Sequence, residues 1–278
     1  TAAIIAGDLY PATAIGINLP NSNWIRSVHG SKSVTIGNFT DAYNKAAHGN
    51  GFSDEFVYSE VEKAYLEKYG DLTGDLHTDL HECLGHGSGK LLPNVDSEAL
   101  RSYGSTIEEA RADLFGLYYI ADPKLTELNL TPDAEAYKAQ YYSYLMNGLL
   151  TQMIRIEEGE QLEEAHMRNR ALISNWVLEH YPTAVQIVCK NGKHFVCISN
   201  YPLLRNAFGE LLAEVQRIKS EGDFEAARNL VEQSGIKLNP KLHREILKRH
   251  KQLNLAPYKG FINPQYELVR NEEGDITD

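Results

Sequence analysis

Cysteine is scarce in this sequence: the 278 residues include only three, Cys83, Cys189 and Cys197. A sparse and odd number does not form the disulfide framework of a small secreted protein. The chain also begins without Met or a basic leader, inside an apolar stretch, so we expect it to be part of a longer protein. The cysteine content predicts a reducing compartment, and we take the cytoplasm as the expected location.

Positive charge is also in deficit, with 27 Lys and Arg against 38 Asp and Glu and a net charge of −11. An acidic surface repels nucleic acid and anionic membranes, so we expect neither as a partner. No apolar run approaches the roughly 20 residues that a membrane-spanning helix needs. The negative field suits cationic partners such as peptide ammonium groups, although the same charge balance also serves solubility alone.

No linker, repeat or low-complexity stretch divides the chain, so we predict a single domain over residues 1–278. After a Gly- and Asn-rich opening that we expect to be irregular up to about residue 50, helical periodicity dominates. The predicted fold class is therefore mainly α. The predicted helices cover residues 54–69, 75–87, 105–121, 131–159, 160–180, 202–220, 223–234 and 239–252.

One β-hairpin interrupts this helical pattern near residues 184–199. Asn191-Gly192 lies between two β-rich arms and is the strongest short signal for a two-residue hairpin turn. The paired residues are then Lys190 with Lys193, Cys189 with His194, and Gln186 with Cys197. This register keeps the two cysteines apart. The tail from Pro257 onward is expected to be extended or irregular.

The segment L-H-T-D-L-H-E-C-L-G-H-G-S-G-K at residues 76–90 almost contains the H-E-x-x-H zinc motif. In that motif the histidines lie about 40° apart on a helix, so both imidazoles reach one zinc. Here His81 and His86 are i and i+5, about 140° apart on an ideal helix. We predict a π-type widening near residues 83–86, where Gly85 accepts unusual backbone angles. The alternative is a surface helix that happens to carry two histidines.

The predicted helix at 105–121 supplies a third candidate ligand. Glu109 and Asp113 are i and i+4 on one face, whereas Glu108 lies about 100° round the helix. Two His and one Glu would leave the fourth tetrahedral position open for water, as in catalytic zinc sites. The alternative for Glu108 and Glu109 is that they complement the dipole near the helix N-terminus.

For His77, Cys83 and a Tyr-rich stretch we favour structural roles over metal binding or catalysis. His77 lies four residues before His81, but a site that includes Glu82 makes better use of His86. Cys83 points away from the metal face, which favours a packing or neutral role. The Tyr-rich stretch at residues 137–144 is interpreted as helix packing.

The pair of segments H-E-C-L-G-H and E-E-A-R-A-D resembles the H-E-x-x-G-H and E-E-x-R-x-D/E motifs of the dipeptidyl peptidase III family. G-I-N-L-P-N at 16–21 and E-A-H-M-R-N-R at 164–170 also resemble family segments, so the resemblance covers most of the chain. Members are zinc exopeptidases that release dipeptides from the amino termini of short peptides. The resemblance implies a helical, zincin-like catalytic lobe, and it implies that the family's largely β amino-terminal lobe is absent from this chain.

The resemblance also implies one Zn²⁺ per chain and a role for each matching residue. It implies His81, His86 and Glu109 as zinc ligands and Glu82 as general base and proton shuttle. It also implies that Glu108 and Asp113 orient the ligands. For substrate contacts, it implies His166 as a catalytic group at the scissile bond, Arg170 at the substrate carbonyls, and Asn18 and Asn21 at the substrate's amino end. Without the resemblance, Asn beside Pro is an ordinary turn signal, and a His-Arg pair at i and i+4 is an ordinary surface pair.

A function of another class is a non-catalytic, zinc-stabilised peptide-binding module. Such a structural zinc site would be closed by four protein ligands. The sequence offers three convincing ligands and a base, which favours zinc-dependent peptide hydrolysis by metal-activated attack of water.

Overall fold

The computed structural model describes residues 15–20, 23–255 and 269–276. Most of these residues are helical, so the predicted mainly α fold is confirmed. The elements in chain order are β1 (Gly16–Leu19), α1 (Asn23–His29), β2 (Lys32–Thr35), α2 (Gly37–Ala47), α3 (Phe52–Phe56), α4 (Glu60–Leu80), α5 (Gly104–Ile120), α6 (Pro123–Glu127), α7 (Tyr137–Leu149), α8 (Ala165–His180), β3 (Val185–Lys190), β4 (Lys193–Ile198), α9 (Tyr201–Glu221), α10 (Phe224–Ser234) and α11 (Pro240–Leu253). None of the described helices combines the length and apolar character that a membrane crossing requires.

Helix α5 lies in the middle of the helical core, where it packs against α4, α8 and α9. Its small residues Ala110 and Ala112 allow close contact, and its large residues Ile107, Leu114 and Leu117 have no exposed surface. Burial of each large aliphatic side chain contributes about 1.5–3 kcal/mol. Because this helix is enclosed, its charged side chains must find partners inside the protein.

Helix α4 is one continuous helix, so the two separate predicted helices at 54–69 and 75–87 are wrong. It runs for 21 residues and then continues directly into a wider turn. Gly70 and Gly74 lie within it, and a Cβ at either position would meet no atom within 4 Å. Glycine in a helix interior costs only about 0.5–1 kcal/mol. Packing of α4 against α5 and α7 outweighs this cost.

The described residues before about position 50 are more regular than expected, so for them the predicted irregular opening is wrong. Strands β1 and β2 form an antiparallel pair in which Gly16 lies opposite Thr35 and Leu19 opposite Lys32. Helix α1 connects the two strands, and α2 follows them. Strands of four residues are too short to show a clear alternation, so no sequence pattern indicated them.

The predicted hairpin is present as β3 and β4, with the predicted register throughout. Asn191 and Gly192 both adopt left-handed backbone angles, with φ of 54° and 75°. These angles are typical of the tight turn that matches strand twist. Cys83, Cys189 and Cys197 are all free thiols.

In the carboxyl-terminal part of the chain, the helix boundaries agree closely with the prediction. Helices α9, α10 and α11 each begin and end within one residue of the predicted limits. Asn200, Asp223 and Asn239 accept hydrogen bonds from first-turn backbone N–H groups and so determine where these helices begin. The predicted helix at 131–159 is shorter and corresponds to α7 and a 3-10 turn at Thr151–Arg155. Most of the tail from Pro257 lies outside the described residues.

Candidate metal centre

The end of α4 widens into a π-helical turn at His81–His86, the π-turn. Within it, the Nε2 atoms of His81 and His86 lie 3.1 Å apart. A regular α-helix would place these side chains about 140° apart and could not bring them together. The widening predicted from the i and i+5 spacing is therefore confirmed.

Gly85 supports the π-turn in a different way from the one expected. Its φ is not positive, so Gly85 does not use the left-handed region that glycine tolerates. A Cβ on Gly85 would instead lie 2.6 Å from Cα and 2.7 Å from Cβ of Ala112. The missing side chain lets the π-turn contact the backbone of α5 directly.

Helix α5 presents Glu109 to the two histidines. Its Oε2 atom lies 3.3 Å from Nε2 of His81 and 3.6 Å from Nε2 of His86. Atoms that bind zinc tetrahedrally at about 2.1 Å are about 3.4 Å from one another, close to the three separations found here. Glu109 Oε2 is buried and has no hydrogen-bond partner, so a cation would compensate its lost hydration. The donor set and its spacing therefore fit a zinc ion.

Each of the two imidazoles is held on its far side by another carboxylate. Oδ1 of Asp113 lies 2.7 Å from Nδ1 of His81, and Oε1 of Glu108 lies 2.9 Å from Nδ1 of His86. An ionised carboxylate only accepts hydrogen bonds, so both Nδ1 atoms donate. Each Nε2 then carries the lone pair that a metal needs. Asp113 and Glu108 thus each bond an imidazole of the π-turn.

Asp113 belongs to a buried network larger than the sequence indicated. Nε2 of His77 lies 3.2 Å from Asp113 Oδ1, and the Tyr144 hydroxyl donates to Asp113 Oδ2 over 2.8 Å. The Tyr144 hydroxyl also lies 3.5 Å from Oδ1 of Asn169. The interpretation of Tyr144 as packing alone is therefore incomplete.

His77, His81 and Asp113 form a second group with metal-binding donor types, and their donor atoms lie within 4.8 Å of one another. The separation of 2.7 Å between His81 Nδ1 and Asp113 Oδ1 is that of a hydrogen bond, and it is shorter than the roughly 3.4 Å between tetrahedral zinc ligands. A metal at this position would also displace the Nδ1 proton that orients His81. The group formed by His81, His86 and Glu109 is therefore the better metal site.

Glu82 is the second residue of the π-turn, and its side chain is buried against strand β1. A Cβ on Gly16 would lie 2.7 Å from its Oε1 atom, and its Oε2 atom has no hydrogen-bond partner. Burial raises the pKa of Glu82, although the charges of His81 and His86 act in the opposite direction. A desolvated carboxylate with a raised pKa is suited to proton transfer.

The β1–β2 strand pair is attached to the π-turn through the backbone oxygen of Glu82. Asn18 Nδ2 donates to this oxygen over 3.4 Å and to Ser33 Oγ over 2.9 Å. Ser33 Oγ donates to the same oxygen over 3.1 Å. Asn18 is thus buried against the π-turn, with its Oδ1 atom unpartnered. Asn21 lies outside the described residues.

The start of α8 brings His166 to the edge of the centre. Glu164 accepts hydrogen bonds from the backbone N–H groups of His166 and Met167, and its Oε1 atom lies 2.7 Å from Nδ1 of His166. The other ring nitrogen, Nε2, lies 3.4 Å from Oε2 of Glu109, and the side chain is about half exposed. Arg170 follows one turn later, close enough to the Tyr144 hydroxyl for its charge to act there. Glu164 was not singled out from the sequence, although it is part of the E-A-H-M-R-N-R segment.

The carboxylates make the centre attractive to cations. Burial alone would raise the pKa of Asp113, but His81 and His77 hold it well below its usual value. Burial lowers the pKa of His81, but Asp113 and Glu109 outweigh this effect and raise it to about 10. The same negative charge also favours a divalent cation at this place.

Comparisons with known proteins identify the family to which the chain is similar. The model of peptidase family M49 matches residues 10–100 and 94–273. Dipeptidyl peptidase 3 of Mus musculus is 29% identical over 268 residues, and that of Homo sapiens is 28% identical over 269. Each alignment covers 82% of this chain and 35% of the relative, so the chain spans about a third of the length of these curated relatives.

Solved structures show the same fold. Dipeptidyl peptidase III from Caldithrix abyssi matches with a TM-score of 0.64 and 25% identity over 86% of this chain and 45% of that one. Dipeptidyl-peptidase III from Corallococcus sp. strain EGB matches with a TM-score of 0.68 and 22% identity over 87% of this chain and 42% of that one. Because the family model covers almost the entire chain, the protein belongs to peptidase family M49, a family of metallopeptidases.

Proposed function

We propose that this chain is the metal-binding catalytic lobe of a zinc-dependent exopeptidase that releases dipeptides from the amino termini of peptides. The observation that carries the proposal is the convergence of His81 Nε2, His86 Nε2 and Glu109 Oε2, which are 3.1–3.6 Å apart, beside the buried carboxylate of Glu82. These three residues would hold one Zn²⁺. Three protein ligands leave a position open for water or substrate, as in catalytic zinc sites.

Glu82 is the proposed base and proton shuttle. When bound, zinc supplies Lewis acidity, which lowers the pKa of water and polarises a carbonyl group. Glu82 takes a proton from the attacking water as the new C–O bond forms. It then gives that proton to the leaving amine nitrogen as the peptide C–N bond breaks. The hydrogen bonds from Asn18 and Ser33 to its backbone oxygen hold the backbone from which the carboxylate extends.

The proposed substrate contacts lie around this centre. His166 and Arg170 share one face of α8, and Glu164 fixes the ring of His166 beside Glu109. They would contact the scissile bond and the substrate carbonyl groups. Asn18, with its unpartnered Oδ1 atom, and Asn21 would hold the backbone at the substrate's amino end.

The proposed partners are short peptides and, as in the two-lobed proteins that the chain resembles, an amino-terminal lobe that completes the cleft. The relatives' greater length supports the second partner. The net charge of −11 suits the ammonium group of a peptide substrate. The free thiols support the proposed cytoplasmic location.

The competing function, a zinc-stabilised module without activity, would need a fourth protein ligand. A third imidazole, that of His166, also lies beside Glu109, with 3.4 Å between its Nε2 and Glu109 Oε2. It is nevertheless outside the group of donor atoms that lie within 4.8 Å of one another. The three-ligand arrangement therefore favours catalysis.

Metal analysis of the purified chain tests the ligand set. The wild-type chain is expected to contain about one zinc, as a catalytic site of this type holds. His86→Ala should release it, whereas His180→Ala should not, because His180 contacts Trp176 on the far end of α8. Full zinc retention by His86→Ala would contradict the proposed site.

Two further measurements separate catalysis from a structural role. Acetohydroxamate should bind the zinc-loaded chain in calorimetry, because an open metal position accepts it and a closed four-ligand site does not. With the amino-terminal lobe present, a dipeptidyl arylamide should be hydrolysed much faster than a single aminoacyl arylamide. The opposite preference would exclude dipeptide release.

A further inference from the structure

Arg111 is a fully buried arginine between α5 and the π-turn, with no part in the chemistry described so far. Its Nε atom donates to Oε2 of Glu108 over 3.0 Å, and its Nη2 atom donates to Oε1 of Glu108 over 2.8 Å. Nη2 also donates to the backbone oxygen of Gly85 over 2.7 Å. Nη1 donates to Oγ of Ser88 over 3.3 Å. One guanidinium therefore joins a carboxylate of α5 to the backbone of the π-turn.

The carboxylate that Arg111 holds is the one that orients His86. Oε1 of Glu108 accepts from both Arg111 Nη2 and His86 Nδ1, so the guanidinium fixes the oxygen on which the imidazole depends. Lys219 of α9 donates to the other oxygen, Oε2. The two cations hold Glu108 from two sides and leave it little freedom to rotate away from His86.

The backbone oxygen that Arg111 holds is the one immediately before His86. A π-helical turn weakens the regular ladder of backbone bonds, so its carbonyl groups depend on other donors. Gly85 O accepts from Arg111 and from the backbone N–H of Ser88, at 2.7 and 3.2 Å. Both the ring and the backbone of His86 are thus connected to Arg111.

We propose that Arg111 is a positioning residue for the metal ligand His86, and that Lys219 supports it by holding the second oxygen of Glu108. The inference rests on the proposed metal site. Lysine at position 111 would keep the charge but lose the planar fork that bonds Glu108 through two nitrogens. Removal of residues that orient metal ligands typically weakens metal affinity about 10- to 100-fold.

Two other roles for Arg111 predict different results. If it only packs α5 into the core, its replacement lowers stability but leaves zinc affinity of the folded protein unchanged. If it acts only as a positive charge, removal of that charge should strengthen zinc binding, because the charge repels a cation. The positioning role predicts weaker zinc binding in Arg111→Lys, where the charge is kept, and also in Lys219→Met, where a charge is lost.

Zinc affinity of the 278-residue chain, measured by competition with a chromophoric chelator, tests these alternatives. Visible absorption of the cobalt-loaded protein reports the ligand geometry in the same samples. Arg205→Lys is the matched control, because Arg205 likewise bonds both a carboxylate and a backbone oxygen, those of Asp122 and Tyr118, but away from the centre. Circular dichroism of each metal-free variant identifies the folded ones.

We expect zinc affinity to fall about 10- to 100-fold in Arg111→Lys, with an altered cobalt spectrum, and to fall less in Lys219→Met. Arg205→Lys should match the wild type in both measurements. Wild-type affinity and an unchanged cobalt spectrum in folded Arg111→Lys, or tighter zinc binding in Lys219→Met, would overturn the positioning role. Lys219→Met decides the question by itself if Arg111→Lys does not fold. Absence of zinc binding in the wild type would instead overturn the proposed function.

Discussion

Replacement of Gly85 by alanine should separate the two structural elements that form the metal centre. The added Cβ would lie 2.6 Å from Cα, 2.7 Å from Cβ and 3.0 Å from the backbone oxygen of Ala112. Carbon atoms in favourable contact are about 3.5–4.0 Å apart, so the π-turn and α5 must move apart by about 1 Å. The atoms in the way are mainly backbone, which cannot rotate aside. Overpacking of this kind typically costs about 1–3 kcal/mol.

The same displacement acts on the ligands, because Glu109 lies one turn before Ala112 on α5. Its Oε2 atom lies 3.3 and 3.6 Å from the two imidazole nitrogens. If both separations grow by about 1 Å, they exceed the spacing of about 3.4 Å between tetrahedral zinc ligands. We therefore expect Gly85→Ala to lose both stability and zinc affinity. Gly74→Ala is the matched control, since its Cβ would meet no atom within 4 Å and should stabilise α4 by about 0.5–1 kcal/mol.

Urea unfolding of the metal-free proteins measures the first effect, and chelator competition measures the second. The expected result is a lower free energy of unfolding and weaker zinc binding for Gly85→Ala, with neither loss for Gly74→Ala. Wild-type stability and zinc affinity in Gly85→Ala would show that the close approach to Ala112 does not determine the geometry of the centre.

Three other predictions concern separate parts of the protein. Glu82→Gln should keep zinc and, with the amino-terminal lobe present, lose at least about 10²-fold in arylamide hydrolysis; normal turnover would exclude Glu82 as the base. Burial raises the pKa of Glu55, but hydrogen bonds from Lys193 and Arg249 outweigh it and lower the pKa below its usual 4.5. The stability from this carboxylate is therefore present above that value and is lost as pH falls through the lowered pKa. From about pH 5 downward, the free energy of unfolding measured in urea should thus fall more in the wild type than in Glu55→Gln. Equal pH dependence of the two proteins would contradict this. Gly192→Ala should lower stability by about 1 kcal/mol in thermal unfolding, because φ at this turn residue is 75°; an unchanged midpoint would contradict the turn argument.

The arrangement of the candidate metal centre was partly predictable, because some of its residues lie close together in sequence. The i and i+5 spacing of His81 and His86 is compatible with a shared metal only if the helix widens between them, and the π-turn provides that widening. Helical periodicity likewise placed Glu109 and Asp113 on one face. These are local relations, which the geometry of a single helix determines.

The parts that were missed depend on contacts between distant segments. Lys219 reaches Glu108 across 111 positions, and Tyr144 reaches Asp113 across 31. No local pattern indicates such contacts. The β1–β2 strand pair is similar, since side chains from it bond a backbone oxygen of the π-turn. Arg111 did carry a local signal, because it lies at i+3 from Glu108, where a helix allows an ion pair.

The π-turn also determines how the chain tolerates a change in its length. Deletion of Gly85 would leave H-E-C-L-H, whose imidazoles share one face of a regular helix, so metal binding should survive. Every later residue would, however, turn by about 100° and move by about 1.5 Å along the axis. That shift falls on the following loop, where Ser220 bonds the backbone of both Lys90 and Leu92. The shortened helix would therefore keep both imidazoles on one face, but the segment after it would lose its hydrogen bonds to Ser220 of α9.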